Sequence, residues 1–258
     1  MKYFGFTNNG DPSLNFSWLD NINSVDGIVV MSKGVGERFE DALVENSGKI
    51  IYHATCTGLG GTRLEPNVPP VSEKFSHIGR LLKKGFPVSH IVLRVDPLMP
   101  LSWTDALNGA LCIDYVGTLK KTLDSACALG IRRVKYSHLK VTKTIEKALK
   151  SVCAEFAYSA YDSFADLSSL NPSLSYEACC SSSSDQSQCV GCISDIDTEI
   201  LGMKREFKLQ RSKNLDTVCQ CPDNRLEMLF NGNKFDCSFG CVYCYLKDYE
   251  HTRLDKKR

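Results

Sequence analysis

Cys237-Ser-Phe-Gly-Cys241-Val-Tyr-Cys244 sets three cysteines at CxxxCxxC spacing, with Tyr245 directly after them. Thiolates so spaced on one short loop can hold three corners of a [4Fe–4S] cube. Electron-transfer clusters take four cysteines, so a set of three leaves one iron open to bind something else. The competing chemistry is zinc, which tolerates many cysteine spacings but prefers four N or S ligands. The loop has an unusual address, with only a short tail ending Arg253-Leu-Asp-Lys-Lys-Arg258 after it.

Of thirteen cysteines, nine lie between Cys179 and Cys244. Within that stretch Cys180, Cys192, Cys219 and Cys221 could bind a second metal, with Cys179 and Cys189 able to substitute for Cys180 and Cys192. A second [4Fe–4S] cluster there would supply electrons or anchor a substrate, whereas zinc would staple the segment. Cys56, Cys112, Cys127 and Cys153 stand alone on apolar stretches and read as buried small hydrophobes. Strand alternation puts Val92, Arg94 and Asp96 on one face, and Ile51, His53 and Thr55 on another. The Arg94–Asp96 pair could hold a ligand carboxylate or be a buried ion pair. His53 suits catalysis and a hydrogen-bonded core equally, and Lys33 suits an anion contact.

These residues need a scaffold, and 258 residues can bury one large core or two modest ones. A hydrophobic content of 43% and a charged content of 24% are ordinary for a globular chain. The net charge of +1 offers no electrostatic argument for nucleic-acid or membrane binding, and the basic tail reads as solvated. No run of eighteen apolar residues predicts a membrane span, and the polar N-terminus is no signal peptide. So many cysteines without an export signal indicate metal sites in a reducing compartment, the cytoplasm, rather than disulfides.

Apolar runs alternate with helical patterns through the first 160 residues, the rhythm of βα units. The patterns predict strands at Tyr3–Thr7, Gly27–Met31, Lys49–Cys56, His90–Val95 and Arg132–Ser137. Helices are expected at Leu14–Ile22, Glu37–Glu45, Ser72–Lys84, within Asp105–Leu129, and at Val141–Phe156. In the third helix Phe75, Ile78, Leu81 and Leu82 share one face. Parallel strands joined by right-handed crossovers give a doubly wound sheet or a barrel. Residues 161–224, with the serine run Ser181–Ser184, read as a cysteine-rich insertion held by metal rather than by a core. Residues 225–258 complete the fold with a sixth strand, Leu226–Phe230, a turn at Asn231-Gly232-Asn233, the cysteine loop and a short helix over Tyr245–Arg253. In a barrel, the loops after all six strands converge on one mouth.

The CxxxCxxC loop, with aromatic Tyr243 before its last cysteine, resembles the motif of the radical SAM superfamily. The resemblance implies a [4Fe–4S] cluster on Cys237, Cys241 and Cys244 whose open iron chelates S-adenosylmethionine. Reduction then yields a 5′-deoxyadenosyl radical that takes hydrogen from a substrate, with flavodoxin or ferredoxin as the electron donor. Superfamily members usually carry the loop after their first strand. Taken as a circle, this chain does the same, because Tyr3–Thr7 follows the cysteine loop. Asn9-Gly10-Asp11-Pro12 is then similar to the superfamily's Gly-Gly-Glu-Pro segment, whose backbone contacts the SAM amino group, although Asn9 replaces a glycine and Asp11 shortens the acid. The implied fold is a circularly permuted partial (βα)6 TIM-type barrel.

A closer resemblance is to an uncharacterised bacterial family, a domain of unknown function related to radical SAM enzymes with its cysteine motif at the C-terminus. His53-Ala-Thr-Cys-Thr57-Gly58 with Leu64-Glu65-Pro66-Asn67-Val-Pro-Pro70 is the most distinctive match. Arg94-Val-Asp96-Pro97-Leu98, then Gln210-Arg211 ahead of Cys219-Gln-Cys221, then the cysteine loop complete the ordered set. That family also has cysteines before its Cys-x-Cys pair, which supports the second metal set. Spore photoproduct lyase, which acts on DNA, is related through the superfamily, so a nucleic-acid substrate is an analogy only. The competing expectations are a metal-stapled binding module without catalysis and an iron–sulfur electron-transfer protein.

Overall fold

In a computed structural model, residues 3–99, 102–105, 115–139, 141–157, 164–179, 189–203, 209–211, 218–229 and 237–244 are described. Seven strands form one parallel sheet: β1 (Phe4–Phe6), β2 (Gly27–Ser32), β3 (Ile50–Thr55), β4 (Ile91–Leu98), β6 (Arg133–His138), β8 (Ser175–Ala178) and β11 (Arg225–Glu227). Two antiparallel ladders stand apart, β5 (Ser102–Asp105) with β7 (Cys153–Ala157) and β9 (Leu209–Arg211) with β10 (Val218–Pro222). The helices are α1 (Ser17–Asp20), α2 (Glu37–Glu45), α3 (Val71–Lys83), α4 (Tyr115–Ala128), α5 (Lys143–Val152), α6 (Phe164–Leu170) and α7 (Asp195–Ile200).

Every residue of β2 and β3 is buried, as continuous apolar runs such as Gly27-Ile-Val-Val-Met-Ser32 require when both sheet faces are covered. The strand order is β11-β1-β2-β3-β4-β6-β8, so from β1 onward each crossover steps the same way. Right-handed crossovers in one direction put their helices on one face. Accordingly Phe39 and Leu43 of α2, Ile78 and Leu81 of α3, and Leu119 and Leu123 of α4 join one core with Ile28, Val30, Tyr52, Leu93 and Val134. The opposite face carries Phe4, Val29, Met31, Ile51 and Val92, covered by Ile193, Met203 and the last turn of α7. The winding reverses nowhere within β1–β8, and the seven-stranded parallel sheet is compatible with either a barrel-like or a Rossmann-like fold.

The ends of the chain meet in the sheet, because β11 pairs in parallel with β1, Phe4 opposite Arg225 and Phe6 opposite Glu227. This is the adjacency expected from reading the chain as a circle. Six strands were expected; the seventh, Ser175–Ala178, lies at the far edge beside β6. It was missed because Ser-Tyr-Glu-Ala has no apolar run. The buried Glu177 is held instead by Arg133 (2.8 Å) and Lys135 (3.2 Å), which also reach Asp197 of α7. The segment read as an insertion thus contributes an edge strand and a cover to the main sheet.

Smaller differences have local causes. Helical pattern ends at Val152, where Cys153–Ala157 pairs with β5 instead. The expected helix over Leu14–Ile22 shrinks to Ser17–Asp20 and a 3-10 turn, because Asp11 holds the preceding residues in a loop. The serine run, Phe230, the Asn231–Asn233 turn, Cys112, Cys180 and the Tyr245–Arg253 helix lie outside the described residues.

Candidate metal centre at the carboxyl edge of the sheet

Three loops at the carboxyl ends of β1, β2 and β3 build a floor for the cysteine loop. Asp11 joins the first two: one carboxylate oxygen accepts from Ser13 Oγ (2.7 Å) and Ser32 Oγ (2.7 Å), and the other from the Lys33 amide (2.8 Å). All of this is internal bonding, so Asp11 acts here as a staple. Glu227 makes the corresponding link from β11, accepting from the amides of Asn8 (3.0 Å) and Leu229 (3.0 Å). Gly34 lies where these loops meet, and a Cβ there would run into Ser13 and come within 3.0 Å of the Phe239 ring. Gly34→Ala should therefore cost about 1–3 kcal/mol by overpacking. A thermal melt checks this, and an unchanged midpoint would mean that the three loops have slack.

The cysteine loop docks on the loop after β3. Val242 N donates to Leu64 O (2.9 Å), and Asn67 Nδ2 to Ser238 O (2.8 Å). Gly240, at φ +69°, takes a left-handed turn against Pro66, where a side chain would be strained. Beneath the loop Lys33 Nζ donates to Glu65 and to Tyr243 Oη (2.6 Å), and Tyr243 donates to the same Glu65 oxygen. Burial opposes the Lys33 charge, but Glu65 and Cys241 outweigh it and hold the pKa above the ordinary lysine value. Burial, reinforced by Glu65, raises the Tyr243 phenol, so it stays a donor.

The three thiols share one environment. Burial pushes Cys241 up to about 11 against the pull of Lys33, with Cys244 and Cys237 raising it further. Burial raises Cys237 too. Among the described residues no three His, Cys, Asp or Glu side chains converge as ligands of one ion. A [4Fe–4S] cube differs from a single ion in spreading its ligands over different irons. Cys237, Cys241 and Cys244 are within electrostatic reach of one another, the Lys33 ammonium acts on the first two, and the three sulfurs are the donors that could hold such a cluster.

A second group lies toward the far edge. Arg94 donates to Asp96 from Nε (2.8 Å), and its Nη2 faces Cys179 Sγ (3.7 Å) and Cys192 Sγ (3.9 Å). Asp96 also accepts from Ser137 Oγ. The two sulfurs are 3.1 Å apart, and Cys221 Sγ accepts from the Cys192 amide (3.0 Å). Of the expected second set, Cys192 and Cys221 meet here, with Cys179 beside them. Cys180 and the side chain of Cys219 lie outside the described residues. His53 is fully buried, with Nδ1 3.5 Å from Arg94 Nη1 and Nε2 unbonded among the described residues. Burial, then Lys135, holds it neutral, well below the usual histidine range.

The family model of a domain of unknown function, DUF1848, matches residues 13–246. The chain belongs to the DUF1848 family. No curated protein matches this DUF1848 chain. Among solved structures it is similar to a proposed phosphonomutase from Burkholderia cenocepacia J2315, at 10% identity and a TM-score of 0.22, over 69% of this chain and 86% of that one. A likeness at that score carries no argument.

Two parts of the DUF1848 site escaped sequence reasoning. Glu65 shows no role in its own stretch of sequence, because its partners Lys33 and Tyr243 are remote in sequence. The other is a polar chain behind the β2 loop. Lys74 Nζ donates to the carbonyls of Ser32 (3.2 Å) and Gly34 (2.7 Å), either side of Lys33, and to Tyr52 Oη (3.3 Å). Tyr52 meets His77 Nε2 (3.4 Å), and His77 Nδ1 meets Glu40 (3.0 Å), which Arg80 caps at 2.8 Å. Burial takes Lys74 down to about 8 and His77 down to about 4. On α3, Lys74 and His77 take inward positions beside Ile78 and Leu81, while Phe75 and Leu82 are only partly buried. A count of apolar residues assigns that face differently.

Proposed function

We propose that this DUF1848 protein is a radical SAM-type enzyme. Cys237, Cys241 and Cys244 hold a [4Fe–4S] cluster, S-adenosylmethionine occupies the open iron, and a substrate of unidentified class faces it. The observation that carries this reading is the parallel pairing of β11 with β1. It sets a three-cysteine loop among the loops at the carboxyl edge of a parallel sheet, where folds of this class do their chemistry. The one-directional winding favours a partial barrel over a Rossmann-type sheet.

When bound, the cluster and SAM supply a reductively generated organic radical, with electrons from a flavodoxin- or ferredoxin-type donor. The chain supplies position and charge. Lys33 sets an ammonium against Cys241, offsetting the negative charge of three thiolates. Glu65 and Tyr243 fix that ammonium, and Asp11 fixes the backbone that carries it. The Asn9–Gly10 backbone stands one residue before the staple, beside the amides gathered by Glu227. Arg94 and Asp96 form an ion pair along β4, and the field of Asp96 also reaches Lys33.

Anaerobic reconstitution with iron and sulfide tests the reading. The wild type should take up about four irons per chain and form 5′-deoxyadenosine with dithionite and SAM. Cys241→Ala should lose both, with product falling at least about 100-fold, equivalent to roughly 2.7 kcal/mol in the barrier. A chain that purifies with zinc alone, takes up no cluster and cleaves no SAM would be a metal-stapled module instead.

A further inference from the structure

Cys179 directly follows β8, and Cys192 lies three residues before α7. Their sulfurs are 3.1 Å apart, and a disulfide bond of about 2.05 Å needs about 1 Å of further approach. Both backbones are anchored in that arrangement. Cys179 N donates to Tyr136 O (2.7 Å) and Val190 N to Ala178 O (3.0 Å). Lys135 Nζ holds the Cys192 carbonyl (3.2 Å), and the Cys192 amide points at Cys221 Sγ. Two residues on, Ser194 and Asp197 form the capping box that starts α7. Arg94 presents one nitrogen to both sulfurs. Cys179 is 2% exposed, while Cys192 is half-buried, so only the second is open to a reagent.

We infer that Cys179 and Cys192 form a reversible dithiol–disulfide couple that exchanges with low-molecular-weight disulfides and thiols. This depends on none of the chemistry proposed at Cys237–Cys244. The Cys192 thiolate attacks one sulfur of a small disulfide RSSR, breaking its S–S bond and releasing RS⁻. The Cys179 thiolate then attacks Cys192 Sγ of the mixed disulfide, forming the protein bond and releasing the second RS⁻. The two cysteine protons end on the two RSH products, so the protein gives up two electrons and RSSR gains them. Reduced thiol reverses both steps.

The test uses the full chain in a Cys180→Ser background, so that the neighbouring cysteine cannot confuse the assignment. The native protein is incubated with oxidised glutathione, quenched in acid, alkylated, digested and analysed by mass spectrometry. Cys179 and Cys192 should lose alkylation together as a linked peptide pair, at least tenfold faster than in the urea-unfolded chain. Reduced glutathione should restore both. Cys192→Ser should leave Cys179 alkylatable. Linking no faster than in the unfolded chain would overturn the inference. So would protection of both thiols by stoichiometric zinc or iron that Cys192→Ser releases, which would make the group a metal centre.

Discussion

Glu65→Ala should lower stability by about 3–5 kcal/mol, the cost of stranding a buried charge without its partner. Glu65 is 1% exposed and accepts from both Lys33 and Tyr243, so its loss leaves the Lys33 ammonium without its carboxylate beneath the cysteine loop, with the neutral Tyr243 hydroxyl still accepting from it. Glu65→Gln keeps an acceptor and should cost about half as much, since a neutral partner removes only the charge attraction. The double variant Lys33→Met/Glu65→Ala should be more stable than Glu65→Ala alone, because the stranded charge is then gone. Urea unfolding of the four proteins measures this. A Glu65→Ala loss under about 1 kcal/mol would mean that the triad is solvated and cheap to break.

Stability should fall as pH drops below 6.5, with the buried histidines as the first source of the loss. His77 binds its proton at about 4 in the folded chain and near 6.5 unfolded. Between those values the unfolded chain holds more protons. The contribution of His77 is therefore complete above pH 6.5 and is lost as pH falls toward 4. Roughly 3 kcal/mol follows from a depression of this size. His53 is shifted in the same direction by its own burial, so the two losses add. Glu40 has a lowered pKa despite its burial, and its contribution disappears at lower pH still. His77→Phe tests the source, since the His77 ring already stacks on Phe39 with centroids 5.9 Å apart. The variant should show a flatter stability profile from pH 6.5 to 4.5. An unchanged slope would assign the acid sensitivity elsewhere.

What the sequence disclosed depended on whether a residue's reason for being where it is lies nearby. Cysteine spacing is local, so the Cys237–Cys244 loop was legible from its own residues. The β1–β11 adjacency was legible too, because a loop expected after a first strand stood after the last. Strands such as Ile50–Thr55 announce themselves through apolar runs. Ser175–Ala178 does not, because Glu177 is held by Arg133 and Lys135, which also pair with Asp197, rather than by hydrocarbon. Lys74 and His77 are inward for the same kind of reason. Glu65 needed Lys33 and Tyr243 beside it before its role could be seen, and no spacing rule connects those three.

The pairing of Phe4–Phe6 with Arg225–Glu227 also sets an order of events during synthesis. Every strand from β1 to β8 can join its neighbour while the ribosome is still at work, since domains assemble as their segments emerge. The last strand of the sheet must instead find β1, the most non-local contact in the sheet and hence a slow one to close. Until then the edge of β1 lies bare and the floor built by Lys33 and Glu65 has no roof. Under the proposed function, cluster loading at Cys237–Cys244 would therefore wait on the pairing of β11 with β1.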